Sequence, residues 1–214
     1  DCSSLTSVTI GYGVTSIGDR AFYDCSSLTS VTIGDSVTSI GYYAFENCSN
    51  LTSVYITDLA AWYNIDFVGS FSNPLYYANY LYLNGELVKD LVIPEGVVEI
   101  QQGAFTDCVS FDGTLSLPTT LKYIGTTGSD NVLDMQDNDY FLGTFYGCRF
   151  VCELIIPNSV EVIRGHAFAN CNGFYGELRL PDGLMKLGAS AFGGCGNLTG
   201  SLTIPQNITI IPDG

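Results

Sequence analysis

A 23-residue step governs this chain. The segment Cys2-Ser3-Ser4-Leu5-Thr6-Ser7-Val8-Thr9-Ile10 returns as Cys25-Ser26-Ser27-Leu28-Thr29-Ser30-Val31-Thr32-Ile33, and again as Cys48-Ser49-Asn50-Leu51-Thr52-Ser53-Val54-Tyr55-Ile56. Between the copies runs Val14-x-x-Ile17-Gly18-x-x-Ala21-Phe22-x-x-Cys25. Its apolar set recurs at Val37, Ile40, Ala44-Phe45 and Cys48, at Val97, Ile100, Ala104-Phe105 and Cys108, at Val160, Ile163, Ala167-Phe168 and Cys171, and at Leu184, Leu187, Ala191-Phe192 and Cys195. Six times a phenylalanine precedes a cysteine by three residues. A unit this short cannot bury its own apolar side, so successive units must stack.

The cysteine spacing also shows where the array is irregular. The step from Cys48 to Cys108 holds one ordinary unit plus a longer atypical one near residues 58–86, and the step from Cys108 to Cys148 holds an insertion near 126–143. A second apolar set (Leu5/Val8/Ile10, Leu28/Val31/Ile33, Leu51/Val54/Ile56, Val88/Leu91/Ile93, Phe111/Leu115/Leu117, Val151/Leu154/Ile156, Phe174/Leu178/Leu180, Leu198/Leu202/Ile204) gives eight units, the last incomplete. The expectation is one solenoid over residues 1–214.

In the run Leu-x-x-Val-x-Ile the last two apolar residues stand at i and i+2, which share one face of a strand. Pro94, Pro118, Pro157, Pro181 and Pro205 follow that run, and Gly11 and Gly34 take the same place in the first units. Proline fixes φ and removes a donor, so each strand is short and turns promptly. The second half of the unit predicts an extended rung and a tight turn that carries Phe and Cys inward. Parallel pairing then sets equivalent side chains into ladders at about 4.8 Å per rung.

Charge narrows the partners. Against 22 acidic residues stand 7 basic ones, a net charge of −15, which argues against nucleic acid, whose phosphates need clustered Lys and Arg, and against a polybasic membrane contact. No uncharged apolar run approaches the ~20 residues that span a bilayer, so direct membrane insertion is not expected.

With these residues in place, Cys25-Ser26-Ser27-Leu28-Thr29-Ser30-Val31-Thr32-Ile33 followed by Val37-x-x-Ile40-Gly41-x-x-Ala44-Phe45-x-x-Cys48 resembles the BspA-type, or treponemal-type, leucine-rich repeat. The stretch from Asp58 to Leu87 resembles a variant unit of such arrays. The resemblance implies an α/β repeat fold: a right-handed leucine-rich-repeat solenoid with a parallel sheet on one face, mostly strand and turn with short helical segments. It also implies a bacterial protein, secreted or at the cell surface, that binds a protein ligand such as a host extracellular or surface protein, with no chemistry and no cofactor. Asp1-Cys2 matches the middle of the pattern, and Ile211-Pro212-Asp213-Gly214 stops short of an Ala-Phe pair. The expectation is a fragment of a longer chain, with signal and anchor outside it.

Cysteines on successive rungs would have parallel Cβ vectors, which a disulfide does not allow, so they are expected to be buried thiols acting as small hydrophobes. Cys152, which replaces the Thr6/Thr29/Thr52 position, could pair with Cys148 or another cysteine nearby. A one-per-rung line of thiols does not converge as a zinc site requires. His166 occupies the variable slot held elsewhere by Arg20, Tyr43 or Ser190 and is expected at an exposed turn; a pairing with Cys171 is the remote enzymatic alternative. The insertion Asp130–Asp139 gathers carboxylates but lacks the spacing of an EF-hand calcium loop. No catalytic or metal-binding residue is assigned.

Binding candidates come from two places. The variant unit holds Trp62, Tyr63, Phe67, Phe71, Tyr76, Tyr77, Tyr80 and Tyr82; packing accounts for most of them, and Trp62, Tyr76, Tyr77 and Tyr80 are the candidates to meet a partner, since Tyr and Trp anchor many interfaces. The outward strand positions read Ser7/Thr9, Ser30/Thr32, Ser53/Tyr55, Asp90/Val92, Thr114/Ser116, Glu153/Ile155, Glu177/Arg179 and Ser201/Thr203. Tyr55, Asp90, Glu153, Glu177 and Arg179 are the candidates from this face. The leading function is a non-enzymatic, adhesion-like binding module; the alternative is a structural spacer that displays another domain.

Overall fold

The anticipated strands form, and they alternate between core and water. In Ser53–Ile56 the valine and isoleucine are buried while Ser53 and Tyr55 are half-buried. Parallel pairing sets Val8 beside Val31, Val31 beside Val54 and Val54 beside Leu81, so each apolar position continues as a column. A second ladder aligns Ile17 with Ile40 and Ile40 with Phe67. A third aligns Ile100 with Ile124, Ile124 with Ile163 and Ile163 with Leu187. The computed structural model, which describes residues 2–69, 71–126 and 143–213, is a parallel-strand β-solenoid of about 7 turns with few helices. The acidic insertion Asp130–Asp139 lies outside the described residues.

Each strand ends where its proline or glycine stands, because that residue's carbonyl accepts the N–H three residues on. Val37 bonds Gly34 at 3.1 Å, Val160 bonds Pro157 at 3.0 Å and Leu184 bonds Pro181 at 3.0 Å. The Ala-Phe-x-x-Cys half then winds through turns with two left-handed residues, except the Phe145 turn, which has one. The first is the slot of Arg20, Tyr43, Gly103, His166 and Ser190, and the second is the residue before cysteine: Asp24, Asn47, Asp107, Gly147, Asn170 and Gly194, all at positive φ. Asp, Asn and Gly tolerate that conformation better than other residues. The first slot looked merely variable in the sequence; its common property is conformational. His166 is half-buried there, rather than exposed, and its N–H donates to the Ala189 carbonyl of the next turn at 2.9 Å.

Two columns of phenylalanine fill the later turns. Phe105, Phe145, Phe168 and Phe192 stack with centroids 5.6, 5.2 and 5.4 Å apart. Beside them Phe111, Phe150 and Phe174 stack at 5.2 and 5.6 Å, in the place that Leu28 and Leu51 hold earlier. Beside the second column the rungs of the open face pair only in part. There the later turns keep only two short ladders, Leu91–Val92 with Leu115–Ser116 and Gly176–Glu177 with Leu198–Thr199. Glu177 stands opposite Thr199 and not the expected Ser201. Leu202, expected inside, is half exposed on the terminal turn.

The variant unit interrupts the array. Asp58 caps the helix Leu59–Tyr63 by accepting the Ala60 N–H at 2.7 Å, and the helix turns Trp62 into the core. A second short helix, Leu75–Ala78, leads into the strand Tyr80–Leu83. The chain then reverses at Asn84 and Gly85, at φ 53° and 85°, the Asn-Gly turn that suits a two-residue hairpin. The returning strand Glu86–Leu87 pairs antiparallel, Tyr82 against Leu87, and closes the first ladder.

Candidate functional site

The open face of the early turns presents two outward columns. One runs Thr9, Thr32, Tyr55, Tyr82 and the other Ser7, Ser30, Ser53, Tyr80. At the hairpin end small hydroxyls therefore give way to three tyrosines. The Tyr55 and Tyr82 rings stack at 4.7 Å with 23° between their planes, and Tyr80 is 42% exposed. The structure thus brings together Tyr55 and Tyr80 and adds Tyr82. The sequence signal for Tyr82 was available: it shares the i, i+2 parity of Tyr80.

The other aromatic candidates stand elsewhere. Trp62 is buried, packs edge-on against Phe67 and donates its indole N–H to the Ala104 carbonyl at 2.8 Å. It has no surface to offer a partner, because a helix that replaces the usual rung must supply the bulk the repeat core would have supplied. Tyr76 and Tyr77 lie half-buried against Phe71, at 4.9 and 6.2 Å. The Tyr77 hydroxyl accepts the Asn47 N–H at 3.1 Å, and burial pushes its phenol above the ordinary value. Phe71 continues to Tyr43, over which the Arg20 guanidinium sits at 5.6 Å. This cluster belongs to the turn edge and is separate from the open face.

Of the charged candidates, Asp90 ties two rungs together. Its Oδ1 accepts the Thr114 N–H at 2.7 Å and the Thr114 hydroxyl at 2.8 Å, and these bonds hold the carboxyl below its usual range. Glu177, at the end of its strand, and Arg179 just beyond it pair, with Nη2 to Oε2 at 2.9 Å and Nε to Oε2 at 3.1 Å. Glu153 is exposed. It meets Glu177 and Arg179 along a groove of about 490 Å³, and a second groove of about 330 Å³ lies on the far side of residues 177–180.

The cysteines do more than fill space. Cys48, Cys148, Cys171 and Cys195 each donate the thiol to a phenylalanine carbonyl one turn back, those of Phe22, Phe105, Phe145 and Phe168, at 3.2, 3.1, 2.9 and 3.0 Å. All eight cysteines are free, Cys152 included. Burial pushes the Cys48 and Cys108 thiols up to about 12, far from the thiolate a nucleophile or metal ligand needs. Among the described residues no three His, Cys, Asp or Glu side chains are grouped to hold a metal ion, and no helix is long and apolar enough to cross a membrane.

The sequence matches the family model of the BspA type leucine rich repeat region in 6 copies, over residues 1–70, 77–134 and 142–214. No curated protein matches the chain. Among solved structures it is similar to a leucine-rich repeat protein from Bacteroides ovatus, with 27% identity over 95% of this chain and 50% of that one and a TM-score of 0.46. It is also similar to a leucine rich cell surface protein from Faecalibacterium prausnitzii (25% identity, 99% and 65% covered, TM-score 0.38) and to a T. pallidum leucine rich repeat protein (26%, 94% and 70%, TM-score 0.38). The chain thus spans half the length of the Bacteroides ovatus protein. With six repeat copies matched across nearly the whole sequence, and with the columns of leucine, phenylalanine and cysteine that those copies build, the chain belongs to the BspA-type leucine-rich repeat family.

Proposed function

We propose that this chain is a protein-binding module of the adhesion type, working outside the bacterial cell or on its surface, and that its contact surface is the open sheet face around Tyr55, Tyr80 and Tyr82. In this reading residues 1–214 act as one solenoid, and the chain acts by binding alone, as is typical of its repeat family. The observation that carries the proposal is the change along that face from serine and threonine to three adjacent tyrosines, residues that supply interface area at low entropic cost. The experiment replaces Tyr55 and Tyr82 by Thr and Tyr80 by Ser, restoring the chemistry of the earlier turns without touching the core. Capture on immobilised extracellular-matrix and epithelial surface proteins should fall to background in the triple variant. Unchanged capture, or none by the parent chain, overturns the reading.

A second reading, a spacer that displays another domain, draws support from the polar side chains that bond rung to rung: Thr29 and Thr52 to the carbonyls of Thr6 and Thr29, and Asp90 to Thr114. It expects deletion of a whole turn to leave the activity of the parent protein intact.

A further inference from the structure

The open face of the later turns is unzipped in a way the early turns are not. Ser30–Thr32 and Ser53–Tyr55 pair residue by residue. The corresponding runs 153–156 and 177–180 share no strand pair among the described residues; the nearby bridge joins Glu153 to Tyr175, two residues before the second run, and from there the two runs part. Among the described residues the backbone groups of Ile155, Ile156, Arg179 and Leu180 make no backbone–backbone hydrogen bond. The 490 Å³ groove opens where the runs diverge, a volume within the ~300–1,000 Å³ of ligand pockets. Its floor is apolar but not sealed: Leu154 and Ile156 keep 6 and 7% exposure and Leu180 is half-buried, whereas Val31, Val54 and Leu81 on the zipped half keep none. On its rim Ile155 is 72% exposed.

Charge at the two grooves is one-sided. Their walls carry Glu153, Glu177 and Asp182 against the one cation Arg179, which Glu177 already holds.

We infer that the groove between residues 153–156 and 177–181 binds an extended basic peptide segment that adds to the parted strands. An added strand supplies partners for the free N–H and C=O groups. Its alternate residues then face opposite ways: apolar ones toward Leu154, Ile156 and Leu180, and lysine or arginine toward Glu153 and Glu177. This rests on the reading of the chain as a protein-binding module and adds to it a ligand class and a second place on the face.

The test is fluorescence anisotropy with a short labelled peptide alternating lysine and valine. Two control peptides replace the lysines by glutamate, or the valines by proline, which keeps the charge but removes N–H donors. Saturable binding of the lysine–valine peptide, with both controls weaker by about tenfold or more, is expected. Glu153→Lys should weaken binding by a similar factor, while Glu99→Lys, an exposed carboxylate on the other ladder, and Tyr80→Ser should leave it unchanged. Equal binding of the proline peptide, equal losses from Glu153→Lys and Glu99→Lys, loss on Tyr80→Ser, or no saturable binding overturns the inference. Matrix capture that depends on the tyrosines without any peptide binding removes this inference alone; peptide binding with capture indifferent to the tyrosines removes the earlier reading's contact surface alone.

Discussion

The Cys171 thiol donates to the Phe145 carbonyl at 2.9 Å, one turn back along the solenoid. The same carbonyl also accepts the Cys148 N–H at 3.1 Å, so this oxygen, like those of Phe22, Phe105 and Phe168, is held from its own turn and from a later one. Cys171→Ala removes the donor and leaves a void, and should cost about 1–3 kcal/mol. Cys171→Ser keeps a donor and should cost less; urea unfolding of the two variants measures the difference. In the native protein a thiol reagent should modify exposed Cys2 first and half-buried Cys152 next, and reach the six buried cysteines only on unfolding.

Asp107 gives the fold a pH dependence of its own. Burial pushes its carboxyl up to about 6 from 3.8, so the folded state favours the protonated form. Its contribution to stability is full below pH 3.8 and declines as pH rises to about 6. Asparagine occupies the same left-handed slot at Asn47 and Asn170. Asp107→Asn should therefore stabilise the protein at pH 7 by roughly 1–2 kcal/mol, allowing for the part of the carboxylate that water reaches. The gain should vanish near pH 4, which thermal melts at the two pH values check.

His166 holds φ at 56°, a conformation that costs a residue with a Cβ roughly 1–2 kcal/mol and glycine almost nothing. Its ring has no assigned chemistry to lose. His166→Gly should raise stability by about 1 kcal/mol once the greater freedom of unfolded glycine is subtracted, and His166→Ala should not. Calorimetry on both variants separates backbone strain from loss of the side chain.

Trp62 is the chain's one tryptophan, and it joins the variant helix to the Ala104 turn through its indole N–H. Trp62→Phe should cost about 1–3 kcal/mol in lost packing and hydrogen bonding. In the parent chain its fluorescence should be blue-shifted and should move to the red in step with circular dichroism on unfolding. A shift ahead of the backbone signal would mean that the variant unit opens independently.

The repeat made the strands, their parallel pairing and the inward columns readable before any coordinates, because a fixed spacing of Leu, Val, Ile, Phe and Cys has one way to bury itself. Tyr55 and Tyr80 were readable as outward residues by alternation alone. Trp62 was not readable as core, since nothing in Leu59-Ala60-Ala61-Trp62 says which side of a short helix meets the array. The hairpin was written in Asn84-Gly85 but is overshadowed by the surrounding repeat. The parting of residues 153–156 from 177–180 was hidden, because Leu154-x-Ile156 and Leu178-x-Leu180 carry the same i, i+2 spacing as Val31-x-Ile33 and Val54-x-Ile56, whose strands pair.

The antiparallel turn-back at Asn84 and Gly85 also ends the strand pairing of one half before that of the other begins. The first ladder stops at Glu86–Leu87 and the next begins with its own pairing at Leu91–Val92. A whole unit gained or lost upstream of the variant unit would therefore leave the strand register downstream as it is, with Trp62 and Asn73 still carrying the junction to the Ala104 turn.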